Sequence, residues 1–182
     1  MIFTIGHSTR TLEALIELLR GADIATLADV RTIPRSRRNP QFNTETLAAA
    51  VGDRGIAYVH MRGLGGLRHP RPDSINTGWR NAGFRGYADY MQTPAFAEHL
   101  TALIDAARST RLAIMCAEAV PWRCHRSLIS DALTARGVAV EHIIGAGARQ
   151  PHRLTPFAHV EGTHVTYPPP GGEPLDLAFP GP

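Results

Sequence analysis

The stretch Arg111-Leu112-Ala113-Ile114-Met115-Cys116-Ala117-Glu118, continued by Ala119-Val120-Pro121-Trp122-Arg123-Cys124-His125-Arg126, decides the fold. Its run from Leu112 to Met115 is apolar without a break. A strand tolerates that when helices cover both faces of its sheet, the situation of a central parallel strand. Reactive residue types then crowd its carboxyl end, and His125 opens a helical pattern that runs to Arg136 and stops at Gly137.

Outward from this strand the same alternation recurs. Ile2-Phe3-Thr4-Ile5 reads as a strand closed by Gly6-His7-Ser8. Thr11 to Arg20 carries Leu12, Leu15, Ile16 and Leu19 on one helical face, with Gly21 as its stop and Ser8 or Thr9 as the expected cap. Ile24 to Val30 and Ile56 to Met61 are further strands, separated by a helix from Thr44 to about Arg54. A helix beginning at Pro94 precedes the central strand, and Val138 to Ile144 follows as the fifth. Strands alternating with helices predict a single α/β domain over residues 1–150, with a parallel, Rossmann-like sheet of about five strands and helices on both faces. Eight of the fourteen prolines lie from Pro151 onward, so residues 151–182 read as a Pro-rich C-terminal arm with one short edge strand at His164-Val165-Thr166-Tyr167.

Composition bounds the class. With 182 residues, 43% hydrophobic and 19% charged, the chain can bury a core and is not a disordered polymer. No apolar run is long enough to span a membrane, and the start MIFTIGHSTR lacks the layout of a signal peptide. Two cysteines are too few for a disulfide-stapled secreted scaffold. The expectation is a soluble cytoplasmic protein with no membrane partner.

Charge is unevenly spread. All 19 basic residues are arginine, each a planar bidentate donor suited to phosphate or carboxylate. From Arg31 to Arg85 there are ten arginines against three acids, whereas the rest of the chain has nine against thirteen. Trp79, Phe84 and Tyr87 interleave with arginines in the long segment from Arg62 to Arg85, a pairing of stacking surface and cation that suits nucleotides or single strands. The competing reading is a solvated arginine-rich surface with Phe84 and Tyr87 packed on the sheet.

In an open parallel sheet, ligands bind beyond the carboxyl ends of the strands. Four consecutive strand ends here deliver Gly6-His7-Ser8, Asp29-Val30-Arg31, Leu64-Gly65-Gly66 and Cys116-Ala117-Glu118, and the next helix opens with Cys124-His125-Arg126. Together with Pro34, Arg35-Ser36 and the GFRGYADYM segment at 83–91, this order of motifs resembles the domain-of-unknown-function 488 family, from Ile5 to about Tyr167. The resemblance implies a compact α/β domain with its site built from these motifs, and supplies no substrate.

Weighed one by one, Cys116 beside arginines and a helix start is a candidate thiolate nucleophile, with a buried core cysteine as the alternative. Its layout is similar to the cysteine-loop-arginine sites of rhodaneses and tyrosine phosphatases, although the loop to Arg123 is one residue longer, lacks glycine and carries Pro121. Glu118, Asp29 and His7 are candidate acid–base groups, and the same carboxylates could instead lock arginines in place. Arg31, Arg35, Arg123, Cys124, His125, Arg126, Gly65 and Gly66 are the candidate anion-binding set. No cofactor is expected: GHSTRT lacks a dinucleotide fingerprint, and His7, Cys116, Cys124 and His125, the conceivable metal ligands, lack the tight paired spacing of a zinc motif. The leading expectation is an enzyme, a Cys/Glu-dependent transferase or hydrolase, acting on a nucleotide or nucleic acid. The alternative is a non-catalytic module binding the same phosphate-bearing ligand.

Overall fold

A computed structural model describes residues 1–169. Its elements are β1 (Ile2–Gly6), α1 (Leu12–Gly21), β2 (Thr26–Asp29), α2 (Thr44–Gly52), β3 (Ala57–His60), α3 (Ala82–Tyr90), α4 (Pro94–Ser109), β4 (Leu112–Cys116), α5 (Arg126–Thr134), β5 (Val140–Gly145), β6 (Ala148–Pro151), β7 (His159–Glu161) and β8 (His164–Thr166). The main sheet has the order β3-β2-β4-β1-β5-β6. The first five strands of that order are parallel, and β6 closes one edge antiparallel to β5.

The expected parallel sheet is there, but the strand count was low by one. β6 has the sequence ARQP, exposed along its whole length, so it carries no apolar period to read. The short strand expected at 164–167 exists, paired with β7 in a separate two-stranded ribbon. Part of the proposed arm is therefore ordered on the domain: Val165 and Tyr167 are buried in the core. Residues 170–182, where the arm expectation continues, lie outside the described residues.

Period-two alternation sorts the strands onto two cores. Phe3, Ile5, Leu27, Ala113 and Met115 face α1 and α2, where Leu15, Leu19, Leu47 and Val51 meet them. Ile2, Ala28, Ile114 and Cys116 face α3, α4 and α5. The split follows from chain direction. From β1 the path runs to β2 and β3, toward one edge; from β3 it turns back to β4 and then β5. Right-handed crossovers in opposite directions must lie on opposite faces. Each core side chain buried in this way contributes roughly 1.5–3 kcal/mol.

Local chemistry sets the helix starts. Thr11, rather than Ser8 or Thr9, caps α1, its hydroxyl accepting from the Ala14 amide. Asn81 caps α3 by accepting from Gly83 and Phe84, and Thr93 caps α4 ahead of Pro94. No described helix is long and apolar enough to cross a membrane.

Candidate functional site

β1 and β4 are neighbours whose following helices depart to opposite faces, so a crevice opens between their carboxyl ends. Their pairing continues past the strands: the His7 amide donates to the Cys116 carbonyl at 3.0 Å and the Ser8 amide to that of Ala117 at 2.8 Å. Gly6 is required here, because a Cβ would occupy the place of the Glu118 carbonyl lying over it. That carbonyl accepts from Arg126 Nη2. The same guanidinium donates from Nε to Cys116 Sγ at 3.0 Å and from Nη1 to Thr4 Oγ1 at 3.3 Å. One side chain thus ties the Gly6, Cys116 and Cys124 motifs together.

Arg126 is only 1% exposed, and burial pushes its pKa down to about 9, which leaves it charged at neutral pH. Among the described residues no carboxylate lies within ion-pair distance of it. Its compensation is indirect. The Thr4 hydroxyl, which accepts from Arg126, is also hydrogen-bonded to His142 Nδ1 at 2.8 Å. His142 Nε2 is in turn hydrogen-bonded to His152 Nδ1 at 3.0 Å, and His152 Nε2 donates to Asp131 at 2.8 Å. Asp131, wholly buried, also accepts from Tyr167 and from the amide and hydroxyl of Thr155. The chain links the cation to the carboxylate through one hydroxyl and two imidazoles.

Sequence reasoning missed these residues. A signal existed in Thr4, the polar position of an otherwise apolar β1, which faces His142 across β1 and β5.

Above Arg126, Cys116 and Cys124 are joined in a disulfide, their Cα atoms 7.6 Å apart. The sulfur expected as a thiolate is a nucleophile only after reduction. His125 Nε2 donates to the Val30 carbonyl at 3.0 Å, which leaves Nδ1 unprotonated and 3.5 Å from Cys124 Sγ. Burial lowers the His125 pKa to about 4, so its ring is neutral. Gly66 makes room for that ring, since a Cβ there would press into it. Cys116 Sγ, Cys124 Sγ and His125 form the metal-competent cluster among the described residues, their ligand atoms within 4.8 Å of one another.

These groups floor a cavity of about 450 Å³. Its wall brings together expected residues Arg31, Gly66, Cys116, Glu118, Arg123, Cys124 and His125, and adds Phe84, Ile33 and Leu67. Glu118 and Arg123 are exposed at the rim. Ile33 and Leu67 are exposed at its mouth, 61% and 69% accessible. His125, the N-cap residue of α5, lines the cavity, and no side chain caps that helix.

Other expected residues are committed elsewhere. Asp29 grips Arg31 through both carboxylate oxygens and also accepts from Tyr58. Arg31 donates further to the Phe42 carbonyl at 2.8 Å and to His7 Nε2 at 3.3 Å. His7 stacks on Phe42, and burial holds its pKa down to about 4. Gly65 packs on Thr32 beneath the cavity. Arg35 stands outside, 76% exposed and 3.9 Å from Glu45.

The interleaved aromatics are not an open stacking surface. Tyr87 is wholly buried, and Trp79 stacks on Phe84 at 4.7 Å. Arg68 lies over Tyr90 and donates to the carbonyls of Gly63 and Gly65, while Arg71 pairs with Asp73.

No curated protein and no solved structure matches the chain. A family model described as "Domain of unknown function DUF488" matches residues 11–133, a span that holds Asp29, Arg31, Gly65, Gly66, Cys116, Glu118 and the Cys124-His125-Arg126 turn. On that match, which takes in well over half of its length, this chain belongs to the DUF488 family.

Proposed function

We propose that the protein is an enzyme acting on a phosphate-bearing substrate, a nucleotide or nucleic acid, seated in the cavity between the ends of β1 and β4. The observation that carries this reading is the Arg126 Nε donor 3.0 Å from Cys116 Sγ, at the floor of a cavity of about 450 Å³. A fixed cation beside sulfur favours the thiolate, the form that acts as nucleophile or metal ligand. The cytoplasm supplies the thiol reductant that frees it from the disulfide. Arg123 at the rim and the uncapped start of α5 meet the phosphate. Phe84, Ile33 and Leu67 offer an apolar wall to a base. Glu118 at the rim is the group for proton transfer. The sheet is read as Rossmann-like in the sense that binding occurs at its switch point.

A non-catalytic module is the second reading, favoured by one observation: two of the expected acid–base groups, His7 and Asp29, are bound up by Arg31. Reduced protein screened against nucleotides and phosphodiesters separates the two. The enzyme reading expects turnover that falls at least about 100-fold in Cys116→Ser while ligand binding persists, a loss typical of removing a reacting group. Binding without turnover in the unaltered protein selects the module. Absence of both binding and turnover rejects the site.

A further inference from the structure

We infer that, in the reduced protein, Cys116 Sγ, Cys124 Sγ and His125 Nδ1 hold one thiophilic divalent metal ion of zinc's class, with its fourth coordination position open to the cavity. This deepens the reading of the same site and rests on it for the cavity's role.

Three observations converge. The three donor atoms already lie within 4.8 Å of one another. The two cysteine Cα atoms are 7.6 Å apart, wider than the roughly 4.4–6.8 Å of ordinary disulfides. Once the bond is reduced, backbones spaced in this way let the sulfurs part to the roughly 3.8 Å at which tetrahedral zinc, about 2.3 Å from each, would hold them. Finally, the imidazole is prepared as a ligand. The Val30 carbonyl accepts a hydrogen bond from Nε2–H and leaves the Nδ1 lone pair toward the sulfurs, the outer-shell arrangement that fixes metal-bound histidines.

Ligand chemistry narrows the ion. Two thiolates and an imidazole select zinc or cobalt over magnesium or calcium. Three protein ligands with one open position is the pattern of a catalytic site rather than a closed structural one. The opening faces Glu118 and Arg123 across the cavity. Two thiolates neutralise the divalent ion, so Arg126, donating to Cys116 Sγ from beneath, keeps its positive charge for an anionic ligand. The electron balance is simple: a thiol or phosphine reductant gives the disulfide two electrons, two protons yield two thiols, and each thiol releases its proton as the ion binds.

The test is an anaerobic titration of the full chain, stripped of metal and reduced with a phosphine, using cobalt(II) and then zinc(II). The expected result is one equivalent of cobalt with thiolate-to-metal charge-transfer absorption and the intense visible bands of four-coordination, displaced by zinc. Cys124→Ser and His125→Phe should each weaken binding at least about 100-fold, in keeping with loss of a direct ligand. Arg35→Ala should bind as the unaltered chain does. The oxidised chain, which has the same sequence and fold, should bind none; it serves if a variant fails to fold. No binding by the reduced chain overturns the inference, as does equal binding by the oxidised chain or by both ligand variants. Cobalt binding without phosphoester turnover would keep this site and remove the enzyme. Turnover by reduced protein that binds no cobalt would do the reverse.

Discussion

Two buried arginines stand at the carboxyl edge of adjacent strands and are partnered in opposite ways. Arg31, just past β2, has its carboxylate two residues away in Asp29 and a carbonyl from Phe42 besides. Arg126, at the start of α5, touches a carbonyl, a hydroxyl and a sulfur, and reaches the Asp131 carboxylate only through Thr4, His142 and His152. Each buried charge costs several kcal/mol to desolvate unless it is compensated. Arg31 is compensated on contact, so its charge is spent holding the Thr32–Asn43 connection to the sheet. Arg126 keeps its field available to whatever shares its pocket, and what shares it is Cys116.

Asp29→Asn is the harshest way to probe that contrast. It leaves Arg31 buried without its counter-charge and should cost about 3–5 kcal/mol in urea unfolding. Asp131→Asn removes charge at the far end of the other chain, beyond a hydroxyl and two imidazoles. The expected cost is about 1.5–3 kcal/mol, the worth of hydrogen bonds to a charged group. Should the two losses prove equal, the arginines are partnered alike and the distinction falls.

Acid sharpens the comparison. Burial, then the neighbouring His152 and Arg126, hold the His142 pKa down from 6.5 to about 3. The fold therefore favours the neutral ring. Its contribution is complete above about pH 6.5 and is lost as pH falls from there toward about 3, because the unfolded chain takes up the proton first. Unfolding free energies measured across this window should fall more steeply for the natural chain than for His142→Gln, by at most about 1.4 kcal/mol per pH unit. Parallel slopes would mean that the ring is already charged in the folded state. At the small end, Arg35→Ala should shift stability by less than about 0.5 kcal/mol and leave ligand affinity unchanged, since its ion pair is exposed and long. A large effect on affinity would return Arg35 to the site.

Much of this architecture was legible in order and type. The apolar run from Leu112 to Met115 marked a central strand, and the strand-end motifs met in one region because parallel strands bring their carboxyl ends together. β6 was hidden by its polar, exposed composition. α3 was hidden by Gly83 and Gly86, which read as loop inside the arginine-rich segment. Charge counting overstated the free cations of the 31–85 segment for a physical reason: Arg31, Arg68 and Arg71 are held by carboxylates, carbonyls and a tyrosine ring. Counting charges along a chain says nothing of which are already paired. The link from Arg126 to Asp131 joins residues that only the folded sheet makes neighbours, so no local pattern announces it.

The place of β1 has a practical consequence. It runs between β4 and β5, in the interior of the sheet, yet the family match begins at residue 11 and stops at 133. A fragment trimmed to those limits would discard Ile2–Gly6 and Val140–Gly145 and leave β4 with an unzipped flank. It would also lose Gly6, the β1 partner of Cys116, together with Thr4 and Tyr167, which bind Arg126 and Asp131. Anyone expressing a shortened version should expect an insoluble product, and should keep at least residues 1–169 to recover the cavity.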